Sequence, residues 1–176
     1  GRRLNRPRER TFRMNEAVID LYERHAEAWD RDRGRTLFER PWLDRFTEPL
    51  SAGASILDLG CGMGEPIAGP LVESGFAVTG VDSSPSLIAM ARARLPGAEW
   101  HVADAAHARP GAMLMFTSGT EAGEAIGEYQ GDPLHHASLS PEEYRRLLGE
   151  NGFSVLDYRP EDPGCGSATI WLARKT

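Results

Sequence analysis

The chain has 176 residues and a net charge of −6, with 40% hydrophobic and 26% charged residues; that is about one domain of chain, with enough apolar surface to close a core unaided. The acidic balance speaks against a surface given over to nucleic acid. No apolar run approaches the ~18 residues of a membrane span, and the basic N-terminus lacks the apolar stretch of a secretion signal. Two cysteines, Cys61 and Cys165, are too few for a disulfide framework. A reduced, cytoplasmic protein with neither membrane nor nucleic-acid partner is therefore expected.

Residues 1–14 read as a basic, disordered tail, because Arg2, Arg3, Arg6, Arg8, Arg10 and Arg13 are opposed only by Glu9. A single domain is expected over 15–176, opening with cap helices over 15–50. Asn15 can cap a helix whose apolar face runs Val18, Leu21, Tyr22, Ala26 and Trp29. A second amphipathic stretch carries Phe38, Trp42, Leu43, Phe46 and Leu50, with Pro41 near its start or at a break.

From Ser55 the pattern changes. Residues 55–59 form a short apolar strand that runs into glycines. Gly64-Glu65-Pro66 opens a helix that Gly75 ends. A second strand is expected over 76–81, a helix capped by Ser84 and started by Pro85, and a third strand over 99–103. This β-α-β-α-β order predicts a parallel sheet with covering helices. Residues 112–116 read as another buried strand. Ser140-Pro141-Glu142-Glu143 is a capping box for a helix that Gly152 closes, and strands over 153–158 and 168–173 form an antiparallel pair.

The chemistry is concentrated where the first strand meets Asp58-Leu59-Gly60-Cys61-Gly62-Met63-Gly64. Glycines there allow a tight turn and a close approach of backbone to ligand. A dinucleotide fingerprint starting at Gly60 would need glycine at position 65, which is Glu65. Asp58, at the strand end, would repel a pyrophosphate but suits a ligand carrying an ammonium and a sulfonium. The second strand ends at Asp82-Ser83, placing an acid about 20 residues beyond the glycines, where it can accept from ribose hydroxyls. The third ends at Asp104, which can accept from an adenine amino group. Three acids at three adjacent strand tips lie where open α/β sheets bind ligands.

These residues closely resemble the class I S-adenosylmethionine (SAM) dependent methyltransferase family. Asp58 with Gly60, Gly62 and Gly64 is similar to its first motif, Asp82 to its ribose-binding acid and Asp104 to its adenine-side acid. Arg109-Pro110-Gly111 is similar to its R-P-G turn before the fifth strand, and Tyr22 and Trp29 to the N-terminal helix that closes over SAM in many members. The resemblance implies an α/β fold with a doubly wound, mostly parallel, Rossmann-like sheet, an antiparallel C-terminal strand pair and an N-terminal helical cap. It implies Asp58, Gly60, Cys61, Gly62, Gly64, Asp82, Ser83, Asp104, Tyr22 and Trp29 as cofactor-binding residues. The reaction it implies is in-line methyl transfer to a small-molecule acceptor, with S-adenosylhomocysteine (SAH) as product. A non-catalytic SAM-binding scaffold is the alternative, and Glu65 and Asp58 speak against a third class, an NAD-dependent oxidoreductase.

The chain departs from the family between Asp104 and Pro110, where a long segment holding the fourth strand is absent. In the family order 3-2-1-4-5-7-6 this forces strand five to pair with strand one. The direct diagonal is ~22 Å, and about eight extended residues reach ~28 Å, so the route leaves no room for a covering helix. An internally shortened protein, a segment not represented in the sequence, and a true deletion with a sheet rearranged or completed by a second chain all stay open, and with the last a homodimer. His135 and His136, in a polar loop before the last helix, are candidates for taking a proton from an acceptor, or are two surface histidines. No metal site is expected, since no cysteine or acid stands at zinc-like spacing from them. Cys61 fits the loop as a small packing residue rather than a nucleophile.

Overall fold

The computed structural model describes residues 18–102 and 110–176; Asn15 and the basic tail lie outside them. In chain order the elements are α1 (residues 18–24), α2 (Ala26–Asp32), α3 (Arg40–Thr47), β1 (Ser55–Leu59), α4 (Ala68–Glu73), β2 (Ala77–Asp82), α5 (Pro85–Arg94), β3 (Glu99–Val102), β4 (Met113–Ser118), β5 (Gly123–Tyr129), β6 (Asp132–Ser138), α6 (Pro141–Glu150), β7 (Phe153–Asp162) and β8 (Ala168–Lys175). They gather into two compact units. One takes in the described residues of Gly1–Arg35, Ala52–Ala105 and Ile126–His135, the other those of Thr36–Ser51, Ala106–Ala125 and His136–Thr176.

In the first unit β1, β2 and β3 form a parallel sheet in that order, with Asp58 beside Gly80 and Gly80 beside Trp100. The helices α4 and α5 are its crossovers, as the alternation of patterns predicts. Trp100 sets the local design. A Cβ on Gly80 would stand 2.3 Å from its ring, and one on Gly64 2.9 Å. Both positions must be bare for the indole to lie down, and Gly64 also has φ +86°. The loop stays irregular through Ile67, so α4 begins at Ala68 rather than beside Pro66 as the sequence suggests.

The first helical stretch is expected to be continuous but is broken at His25, whose φ of −107° and ψ of 18° leave the helical region. Polar ties hold both pieces. The Glu23 carboxylate accepts from the Ser84 hydroxyl at 2.5 Å, the Ser86 hydroxyl at 2.5 Å and the Ser86 N–H at 3.1 Å. This keeps the Glu23 carboxyl below its ordinary pKa and sets a negative charge over the first turn of α5, where the helix dipole favours one. Asp30 pairs with Arg94 at 2.8 Å. Beneath them Ala26, Met63 and Leu87 form a small apolar cluster with Tyr22, Trp29 and Met90.

In the second unit β4, β8 and β7 form an antiparallel sheet in that order. Trp171 on β8 is fully buried. Phe116 stacks on it at 5.7 Å, Tyr158 lies 4.3 Å away, and its indole N–H donates to Ser118 Oγ at 2.9 Å. The capping box of α6 forms as expected, with Ser140 and Glu143 bonded reciprocally. Helix α3 packs Trp42 against Cys165, Ile170 and Leu172, and the Trp42 indole donates to Asp162 at 2.7 Å.

Two expectations are corrected. Strand five does not pair with strand one: β4 pairs with β8, and among the described residues β1 pairs only with β2. The described strands thus keep the family order in two pieces, 3-2-1 and 5-7-6. The polar stretch before α6 is not a loop but the hairpin β5–β6. Its connection is Gln130-Gly131, with φ of 53° and 84°, and two successive left-handed residues make the turn whose twist suits paired strands.

Ser84 is fully buried, caps α5 by accepting from the Leu87 N–H, and donates to Glu23. Ser84→Ala removes both bonds and is expected to lower stability by about 1–2 kcal/mol. Ser86→Ala, which keeps the cap, should cost less. Urea unfolding of the two variants beside the parent checks the order.

Candidate functional site

At the carboxyl ends of β1 and β2 the first unit holds a cleft of about 340 Å³ lined by Tyr22, Trp29, Arg33, Asp58, Gly60, Cys61, Gly62, Glu65, Asp82 and Ser83 together with apolar residues of α1, the loop and α5. A polar floor thus sits below an apolar wall, the usual make-up of a small-molecule pocket. Eight of the residues singled out in the sequence are brought together here: Tyr22, Trp29, Asp58, Gly60, Cys61, Gly62, Asp82 and Ser83.

The glycine loop presents bare backbone. Gly60 and Gly62 have φ of +72° and +53°, and a Cβ at either would meet nothing within 4 Å. Their conformation needs glycine, and the space in front of them is open. The loop is braced by Asp82, whose Oδ2 accepts from the Gly62 N–H at 2.9 Å while Oδ1 accepts from the Ser84 N–H at 2.9 Å. Each carboxylate oxygen retains a further lone pair for a ligand hydroxyl.

Asp58 is the opposite case. It is half-buried, and among the described residues nothing donates a hydrogen bond to its carboxylate. Burial first, and then the negative charge of Asp82, push its pKa up to about 6 from an ordinary 3.8; the positive charge of Arg33 works against the rise. Cys61 lies beside both acids, and burial with their charge pushes its thiol up to about 12. A thiol so held is not a nucleophile, which agrees with the packing role.

The cleft is walled by α1 and α2. The rings of Tyr22 and Trp29 meet edge-to-face at 4.9 Å, and Trp29 meets Tyr129 of β5 at 5.3 Å. Burial raises the Tyr22 pKa, so the phenol stays protonated. The hairpin tip is fastened to these helices. Asp132 takes His25 Nε2 at 2.7 Å and Arg24 at 3.0 Å, and Asp32 accepts from Tyr129 and Gln130.

The other nominated residues fall elsewhere. Gly64 is not among the lining residues and packs under Trp100. Asp104 lies outside the described residues. His135 and His136 are adjacent on β6, half-buried and exposed respectively. Successive strand residues face opposite ways, and neither lines the cleft. Sequence reasoning missed Arg33 and the ties from the hairpin. Arg33 sits in an arginine-rich run between Arg31 and Arg35, and no pattern in the sequence separates it from them.

Residues 56–116, from β1 into β4, match the family model described as a methyltransferase domain. The Burkholderia thailandensis 1,6-didemethyltoxoflavin-N1-methyltransferase, solved with its substrate and SAH, superposes with a TM-score of 0.64 at 17% identity, covering 100% of this chain and 93% of that one. The magnesium protoporphyrin IX methyltransferase of Synechocystis PCC 6803, solved with SAH, superposes at 0.65 and 14% identity, covering 93% and 100%. The chain has the class I SAM-dependent methyltransferase fold. A trans-aconitate 2-methyltransferase of Methylobacterium nodulans is 38% identical over 114 residues, which is 61% of this chain and 40% of that protein. The chain therefore spans about two fifths of the length of the curated relative it matches. Among the described residues of this methyltransferase fold no helix is long and apolar enough to cross a membrane, and no cluster of side chains could hold a metal.

The raised Asp58 pKa has a consequence for stability. The folded protein keeps a proton on Asp58 at pH values where the unfolded chain has released it. Stability should therefore fall as pH rises from about 4 through 6 and level off above, by up to about 3 kcal/mol for a shift of this size. Asp58→Asn cannot ionise. It should match the parent near pH 4 and exceed it at pH 7.5, as urea midpoints at the two pH values would show.

Proposed function

We propose that the cleft binds SAM and that the protein transfers its methyl group to a small-molecule acceptor. The observation that carries this reading is the contrast at the strand tips. Asp58 is a carboxylate with no donor among the described residues, beside a bare-backbone loop, and Asp82 is a carboxylate anchored at both oxygens next to it. An ammonium group supplies what Asp58 lacks, and ribose hydroxyls suit the remaining lone pairs of Asp82.

When bound, SAM would supply a methyl carbon activated by its sulfonium for in-line transfer to the acceptor, with SAH as the product. The chain's part is positioning. Asp58 would hold the ammonium, the backbone of Gly60 and Gly62 would lie along the methionine chain, and Asp82 would fix the ribose. Asp104 is the proposed partner of the adenine. Tyr22 and Trp29 would form the wall that keeps water from the reacting carbon. Glu65, lining the cleft where a dinucleotide site has glycine, adds a third negative charge that a pyrophosphate would meet. The acceptor of the M. nodulans relative, trans-aconitate, heads the panel of acceptors to try.

Calorimetric titration tests the reading. SAM and SAH should bind in the micromolar range and NADH should not. Asp82→Asn should weaken both adenosyl ligands about tenfold or more, since a charge-assisted bond to the ribose and the brace of the loop weaken together. A folded protein that binds neither SAM nor SAH would sink the proposal.

A further inference from the structure

The helices that wall the cleft are tied down at two places by the tip of the β5–β6 hairpin, whose residues 126–135 belong to the same compact unit as α1 and α2. The first tie is at the break between the helices. There one oxygen of Asp132, at the start of β6, takes both His25 Nε2 at 2.7 Å and Arg24 at 3.0 Å. The second is at the end of α2, where one oxygen of Asp32 accepts from the Tyr129 hydroxyl at 3.2 Å and the Gln130 amide at 3.0 Å. His25 and Asp32 stand about 10 Å apart along the chain's helical rise. Between them the Tyr129 ring meets Trp29 at 5.3 Å and His25 at 6.0 Å. Tyr22 and Trp29, which line the cleft, thus stand on the helices that the tip grips. The side chains of Asp132 and Asp32 are 29% and 40% exposed, so water can take the place of either bond. Among the described residues β5 and β6 pair only with each other, and a two-stranded hairpin by itself is marginal in water.

We propose that the hairpin tip is a strap that holds α1 and α2 closed over the cleft, and that release of its bonds to His25, Arg24 and Asp32 is the step that admits and frees the ligand. The ligand is the adenosyl cofactor, so the inference rests on the SAM reading and adds the control of its passage. A pocket encloses most of a small ligand's surface, and exchange then needs a wall that moves. The floor is unsuited to that, since β1 and β2 are joined by a ladder and Asp82 braces the glycine loop. The wall keeps a hold on the sheet through Glu23, with its three donors on α5 or at its cap, and through buried Leu21 and Ala26. Its bonds to the hairpin are fewer and more open to solvent, and they part first. Asp32, Tyr129 and Asp132 are not among the residues lining the cleft. The strap therefore acts on rates more than on affinity, because loosening it favours the open wall in the free and the loaded protein alike.

Stopped-flow fluorescence with SAH tests the strap. Asp132→Asn keeps the shape of the side chain and removes the charge that His25 and Arg24 share. Its association and dissociation rate constants should both rise about fivefold, with Kd held within about twofold of the parent's. Tyr129→Phe keeps the ring against Trp29 and loses the bond to Asp32; it should raise both rates by less, and the double variant should exceed either. Amide hydrogen exchange of the ligand-free protein gives a second readout. Residues 18–32 should exchange faster in Asp132→Asn, while β1 and β2 keep the parent's protection. A weaker Kd with unchanged association would overturn the proposal and make the hairpin a support for the shape of the bound site. Unchanged rates with unchanged exchange would overturn it too, leaving Glu23 and Asp30 to hold the wall. If the parent does not bind SAH, the cofactor reading falls and exchange over 18–32 judges the strap alone: protection lost in Asp132→Asn upholds it, and protection kept overturns it.

Discussion

The Asp82 carboxylate is the fixed point on which the site depends. One oxygen holds the Gly62 N–H of the glycine loop and the other the Ser84 N–H at the start of α5. It therefore joins the turn after β1 to the turn after β2, across the two strands whose ends form the floor. Bonds to an ionised acceptor are among the stronger hydrogen bonds a protein makes. Ser84 passes the constraint on, since its hydroxyl caps α5 and donates to Glu23 of α1. A single carboxylate thereby sets loop, helix start and wall in register, and a ligand that uses its remaining lone pairs meets a surface that is already in place.

That arrangement puts Asp58 at a disadvantage. It is buried beside the charge of Asp82 with no donor among the described residues, and burial first, then that charge, raise its pKa. Evolved cores avoid unsatisfied charge, and strain of this kind concentrates where a ligand relieves it. Arg33 supplies only partial relief, acting through space rather than by a bond.

Much of this was legible before any coordinates. The glycine loop, Asp58 and Asp82 are close in sequence to strand ends that short apolar runs announce, and the caps at Ser84 and Ser140 follow from local chemistry alone. What stayed hidden has physical reasons. The segment 123–129, Gly-Glu-Ala-Ile-Gly-Glu-Tyr, has little apolar alternation, and Gln130-Gly131 is not among the commonest hairpin turns, so β5–β6 read as loop. The break at His25 interrupts no hydrophobic period. Arg33 differs from Arg31 and Arg35 only in what surrounds it. The expected partner of β4 was wrong: it pairs with β8, the neighbour that the family order also gives it.

The wall of the cleft is built differently from its floor. The sheet beneath is held by backbone ladders and by Ile56, Val78 and Trp100, all buried. Helices α1 and α2 are seven-residue pieces or shorter as described, below the length at which an isolated helix is stable in water. They are kept in place by Leu21 and Ala26 and by polar ties at Glu23, Asp30 and Asp132, each partly exposed. Bonds of that sort contribute about 1 kcal/mol apiece. The floor thus rests on a backbone ladder and a buried core, whereas the wall rests on two short helices and a few partly exposed polar ties.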